Sequence, residues 1–292
     1  MRHSRLLTLA VSEVEVETFI LNIKPYCLTT LGKRPYSRFM AANILSESFN
    51  LETLSLIKEY LLSPNLGAVF LTMPEKKINI ESYIQLLTGF SFLFGMAFED
   101  EMTGKYYALH DMDRHVLGDS YLSEPYHDLR LHTDGTFYEP TTDFVFLAKI
   151  QQSSIEGGKL TLLAINELPE LSEILDHTMA DKNFYFKASQ SKKIKKNVAK
   201  PIFTIKNNQV AIRFSDQFCY PDSLEAAKFL NYFSNIMELS SKKIIMDFPE
   251  RSLLLLNNRY WLHGRTKFTL LEDGFKRQLL RIRGAFNDKQ WC

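Results

Sequence analysis

The segment "LRLHTDGTFYEP", Leu129 to Pro140, sets His132 and Asp134 two residues apart. On a β-strand, residues i and i+2 project from the same face, so the spacing predicts an imidazole and a carboxylate side by side, the beginning of a metal site. Two ligands hold an ion weakly. A facial triad needs a second histidine and leaves the opposite side of the metal open for chemistry. "RYWLHGRTKF" offers His263 in an expected strand, and "LLRIRGAF" places Arg281 and Arg283 on one face of another. An arginine on a neighbouring strand suits bidentate capture of a carboxylate at a fixed distance from a metal. An H-x-D pair alone arises by chance in roughly one chain in three of this kind, so the weight lies on four elements occurring in this order.

Other chemistry finds less support. "HDMDRH", His110 to His115, could bind zinc or iron through positions 111, 113 and 115, but no periodicity puts two of its histidines on one face, and it reads as a charged surface turn. The chain has no G-x-S-x-G elbow, no GxGxxG and no Walker pattern. The Gly157-Gly158 doublet suits a turn better than a phosphate cradle.

The elements that must position these residues are legible in outline. The first hundred residues read as mostly helical: "NLETLSLIKEYLLSP" has Leu51, Leu54, Ile57 and Leu61 on one face, an Asn50 cap and a Pro64 stop. The short strand "GAVFLT" and a second helix near Glu81 to Gly95 follow, together forming a covering layer. From about Tyr106 to Ala164 short β-branched and aromatic runs predict a sheet, and a helix is expected at Ser223 to Leu239 with a capping pair of Asp222 and Glu225. "RSLLLLNN", "RYWLHGRTKF" and "QLLRIRGAF" read as the last strands. Strands on both sides of a helical insertion fit one sheet system better than two domains.

Thirty-five basic and thirty-four acidic side chains give a net charge of +1, so no global field would hold the protein on nucleic acid or an anionic membrane. Cys27, Cys219 and Cys292 are scattered and never form C-x-x-C, which argues against a disulfide framework and for a cytoplasmic setting. No apolar run is long enough to suggest a spanning helix or a signal peptide. The lysine-rich segment Lys187 to Pro201 reads as a solvated loop on composition, with a cationic lid as the sharper alternative.

In "GKYYAL", "GDSYLSEPYHDLRLHTDGTFYEPTTDFVFLAKI", "FSDQF", "LLLLNNRYWLHGRTKF" and "QLLRIRGAF" the chain resembles the Fe(II)- and 2-oxoglutarate-dependent oxygenases, and among them the glutarate 2-hydroxylase (CsiD) family. The resemblance is good over 104–286 and looser in the N-terminal helices. It implies a mainly β fold with flanking helices (α+β), a double-stranded β-helix or jelly-roll barrel, made as a single oxygenase domain. It also implies a homotetramer. His132, Asp134 and His263 would be the iron ligands, and no separate catalytic residue is expected. Arg283 would pair with the distal carboxylate of 2-oxoglutarate, with Arg281 holding a second acid or helping the first. Related oxygenases place a small hydroxyl residue against that carboxylate after the Gly-Gly turn. Here Leu160 stands at the matching position, so Thr161 would serve only if a bulge turned it inward.

The implied reaction couples O2 and 2-oxoglutarate to hydroxylation of a small carboxylate, glutarate to L-2-hydroxyglutarate, with release of succinate and CO2. The far carboxylate of the substrate would fall to Arg281, Arg130, Arg265 or the lysines of 193–200. An oxygenase acting on an amino acid or larger substrate, and a non-catalytic barrel binding through the lysine segment, are the alternatives.

Overall fold

The computed structural model describes residues 5–75, 78–100, 103–111, 127–188, 197–206, 208–271 and 276–287. The chain opens with strand β1 (Leu6–Ala10) and helices α1 (Glu13–Ile23), α2 (Leu28–Lys33), α3 (Pro35–Ser48) and α4 (Leu51–Leu62). Then come β2 (Ala68–Thr72), α5 (Ile80–Phe94), β3 (Gly95–Ala97), β4 (Ala108–Asp111) and β5 (Leu129–His132). The central strands are β6 (Phe144–Ser153), β7 (Ile155–Gly157) and β8 (Leu160–Ala164), followed by the short helix α6 (Leu171–Leu175). An insertion holds β9 (Asn183–Phe186), β10 (Val198–Pro201), β11 (Phe203–Lys206), β12 (Gln209–Ile212), β13 (Cys219–Tyr220) and α7 (Leu224–Leu239). The chain ends in β14 (Ile244–Met246), β15 (Ser252–Asn257), β16 (Trp261–Arg265), β17 (Phe268–Leu270) and β18 (Lys276–Phe286).

Two sheets carry the architecture. The larger runs β1-β2-β15-β6-β18-β3, with β4 also paired to β18, and the smaller runs β14-β8-β16-β5. Their inner faces share one apolar cluster: Val145 and Leu147 of β6 and Leu254 and Leu256 of β15 meet Leu160 and Leu162 of β8 and Trp261 of β16. Alternate residues face outward. Phe144, Phe146 and Ala148 pack under α1, α3, α4 and α5, while Leu163 and Leu262 pack against Phe229 and Phe233 of α7. Because both faces are covered, "FVFLA" shows no polar alternation, and each fully buried Leu or Phe contributes roughly 1.5–3 kcal/mol.

Several local signals act as their chemistry suggests. Asn50 caps α4 by accepting from the backbone N–H groups of Glu52 and Thr53. Leu54, Ile57 and Leu61 form its buried stripe, whereas Leu51 stands outside it at 76% exposure. Ser223, not Asp222, caps α7, because its hydroxyl accepts from Ala226 N. The first hundred residues supply helices and also sheet, since β1 and β2 join its edge and β3 pairs with β18. Among the described residues no helix is long and apolar enough to cross a membrane.

Candidate functional site

His132 closes β5 and His263 lies directly opposite it on β16, so the two imidazoles share the inner face with ring centroids 4.5 Å apart. Asp134 is not on the strand: it occupies the turn just past β5, and the turn itself brings Oδ1 to 3.5 Å from His132 Nε2. One ligand atom from each of the three residues lies within 4.8 Å of the others, and all three residues are buried. His132 Nδ1 stands 2.9 Å from the Arg130 carbonyl, which only accepts, so Nδ1 holds the proton and Nε2 presents a lone pair. Asp134 Oδ1 faces His132 while Oδ2 faces Arg281, and buried His263 Nδ1 has no hydrogen-bond partner. Two imidazoles and a carboxylate with buried atoms left for coordination fit Fe(II).

The surrounding chain fixes this geometry. Asn258 clips both sides of the Asp134 backbone, accepting from its N–H at 2.8 Å and donating to its carbonyl at 3.0 Å and to that of Thr142 at 2.8 Å. Arg213 donates to the carbonyls of Thr136 and Tyr138, and Thr133 Oγ1 accepts from Phe214 N. Gly264 is required beside His263: a Cβ there would lie 2.4 Å from the Leu129 carbonyl oxygen. Asn258 was not singled out from sequence, although the "NN" immediately before "RYWLHG" was its signal.

Electrostatics prepare the ligands for a cation. Burial first, then His132, pushes His263 down to about 3, so it stays neutral. Burial alone would raise Asp134, but its surroundings, Arg281 above all, outweigh it and hold the carboxyl well below its usual range.

Strand β18 lays Arg277, Leu279, Arg281 and Arg283 along one face. Arg281 Nη1 lies 3.1 Å from Asp134 Oδ2 and its Nη2 3.3 Å from Asp100 Oδ2. Arg283 Nη2 lies 3.4 Å from the same Asp100 oxygen and donates to the Tyr138 hydroxyl at 3.2 Å. Asp100 carried no sequence signal, being one acid among several after an apolar run. His110 is a strand residue rather than part of a turn: on β4 opposite Leu279, it shares the arginine face. The remainder of "HDMDRH" beyond Asp111 lies outside the described residues, as do Lys192, Lys193, Lys195 and Lys196.

Beyond His263 the inner face carries a second cationic group. The Phe268 ring has the Arg265 guanidinium 4.6 Å from its centroid and that of Arg277 at 4.9 Å. Lys149, fully buried, donates to Gln152 Oε1 at 2.7 Å. Burial first, then Arg277 and Arg265, pushes Lys149 down to about 6, whereas an unfolded lysine titrates near 10.4. Between those values the unfolded chain binds the extra proton, so stability rises with pH by up to about 1.4 kcal/mol per unit and levels off above the unfolded value. Lys149→Met is expected to flatten that slope and to stabilise the fold most at the acidic end. Urea denaturation across pH 6–10 measures both effects, and an unchanged slope would contradict a neutral, dry amine at this position.

Two expected contacts are not formed. Thr161 pairs with Gly264 while Leu162 pairs with His263, and the register between β8 and β16 runs without a bulge. Thr161 therefore projects from the face opposite the triad, and the hydroxyl contact expected of it is absent. Arg130 is turned outward by the register shift between β5 and β16, where Asn235 accepts from it and Asp216 and Glu238 lie within 4 Å.

The two-sheet fold is that of solved non-haem iron oxygenases. An asparagine oxygenase solved with Fe(II), 3-hydroxyasparagine and succinate superposes with a TM-score of 0.78 at 17% identity, covering 96% of this chain and 93% of that one. The non-haem iron oxygenase OrfP, with iron and α-ketoglutaric acid, gives 0.73 at 16% identity over 96% and 94%. The family model for CsiD matches residues 1–286. The glutarate 2-hydroxylase of Pseudomonas putida (strain GB-1) is 31% identical over 283 residues, 96% of this chain and 87% of that protein. The chain belongs to the CsiD family and is an Fe(II)- and 2-oxoglutarate-dependent dioxygenase.

Proposed function

We propose that this dioxygenase hydroxylates glutarate at C2 to L-2-hydroxyglutarate, converting 2-oxoglutarate and O2 to succinate and CO2, within a double-stranded β-helix formed by the two facing sheets. The observation that carries the reading is the charge around the triad: four buried or largely buried arginines, 265, 277, 281 and 283, face two buried aspartates, 100 and 134. With Fe(II) added and Lys149 neutral, the surplus is four positive charges, matched by two dicarboxylates. Similarity to a glutarate 2-hydroxylase supports the choice of acid.

His132, Asp134 and His263 would hold Fe(II), which when bound supplies the oxidative chemistry that couples 2-oxoglutarate decarboxylation to C–H hydroxylation. The rest of the site has to position and shield, since no proton transfer by a side chain is needed. We assign the distal carboxylate of 2-oxoglutarate to Arg277 and Arg265 rather than to Arg283. The former group brackets the Phe268 ring beside the fully buried Lys149, while Arg283 lies with Arg281 on the Asp100 carboxylate, which makes those two a separate cationic pair. Arg281 and Arg283, held together on Asp100, would take a carboxylate of the substrate.

Fe(II)-loaded protein incubated with 2-oxoglutarate in air is expected to form succinate faster when glutarate is present. A rate indifferent to glutarate would sink the assignment, and stimulation by a free amino acid instead would favour the alternative substrate class.

A further inference from the structure

We infer that Asp100 is a positioning residue for substrate selection, holding Arg281 and Arg283 together as one clamp for a carboxylate; this rests on reading those arginines as the substrate side. Two guanidiniums two residues apart on one strand face start about 7 Å apart and repel. A single oxygen, Asp100 Oδ2, stands 3.3 Å from Nη2 of Arg281 and 3.4 Å from Nη2 of Arg283. One acid therefore links both side chains through one nitrogen each. Arg283 is fixed from a second direction by the Tyr138 hydroxyl and by the Tyr138 ring, whose centroid lies 4.6 Å from its guanidinium carbon.

Asp100 is itself anchored. Its N–H donates to the Lys105 carbonyl at 2.6 Å, and its carbonyl accepts from Gly104 N at 2.8 Å, with Gly104 in the left-handed region at φ 63°. Just before it, Phe98 N donates to the Arg283 carbonyl at 2.8 Å, and β3 pairs Ala97 with Gly284. The acid and the arginines it orients are thus fastened to the same strand. Asp100 lies outside the metal-competent group of His132, Asp134 and His263, so it acts on the arginines rather than as a ligand. Arg281 Nε is buried without a hydrogen-bond partner, which leaves this ordered pair with donor capacity for an arriving carboxylate.

The experiment compares the unmodified chain, Asp100→Ala and Asp100→Asn. Glutarate is titrated calorimetrically without O2 into protein loaded with Fe(II) and 2-oxoglutarate, and KM and kcat are measured in air. Asp100→Ala is expected to weaken glutarate binding and raise its KM by about tenfold or more, with kcat, the 2-oxoglutarate KM and Fe(II) affinity held within about threefold. Asp100→Asn keeps an acceptor oxygen and should fall between. Unchanged or tighter glutarate binding in Asp100→Ala overturns the inference, as does an equal loss of 2-oxoglutarate and Fe(II) affinity, which marks a general structural role. If the alanine variant does not fold, the asparagine variant decides by the same criteria. No glutarate response in the unmodified chain would instead overturn the substrate reading.

Discussion

His263→Ala is expected to abolish Fe(II)-dependent succinate formation while leaving the apo-protein folded. The imidazole sits on β16 with its ring 4.5 Å from that of His132, and removing it leaves one histidine and one carboxylate. Two ligands do not make a facial triad, so Fe(II) is lost at concentrations that saturate the unmodified chain. His263 is neutral in the fold, so its removal leaves no uncompensated charge and costs only its packing, about 2–5 kcal/mol by analogy with large-to-alanine changes. Asp134→Ala would be harder to interpret. It breaks the 3.1 Å pair with Arg281 and leaves that guanidinium only the Asp100 carboxylate it shares with Arg283, so the fold and the arginines are disturbed along with the metal. Succinate assays beside an Fe(II) titration and a thermal melt separate loss of metal from loss of fold. Metal-dependent turnover surviving in a folded His263→Ala protein would refute the ligand assignment.

The second large effect concerns the cosubstrate. Arg277→Gln should raise the KM for 2-oxoglutarate by about thirtyfold or more, the equivalent of the 2 kcal/mol or above lost when one partner of a buried charge pair is removed. Arg283→Gln should leave that constant close to its original value and raise the KM for glutarate. The two arginines lie on one face of β18, separated by Leu279 and Arg281, so they serve different ligands only if the ligands lie at different depths. The reversed result, with 2-oxoglutarate sensitive to Arg283 and not to Arg277, would restore the expectation drawn from the family resemblance.

What was legible in the sequence depended on whether the signal was local. Asn50 and the Leu54-Ile57-Leu61 stripe announce α4 because capping and helical period are properties of a short window. The pairing of His132 with Asp134 was also legible, although its cause differs: a turn after β5, not strand alternation, brings the carboxylate round. Strand β1 was hidden because "LLTLA" is too short to show alternation, and its partner β2 lies some sixty residues on. Asp100 was hidden for a similar reason, since only the β3–β18 pairing carries it to the arginines. His110 reads as a turn residue because polar residues dominate its neighbourhood, yet pairing with β18 makes it a strand residue. Arg277 and Arg265 acquire meaning only when the two sheets face one another.

Strand β18 also behaves as a ruler. Its inner positions 277, 279, 281 and 283 are marks about 7 Å apart, set by the two-residue repeat of an extended chain. The length of acid this fold can measure is therefore quantised. Moving a cation by one mark changes reach by a whole step, while a finer adjustment has to come from the side chain, as between arginine and lysine, or from the acid that tilts it.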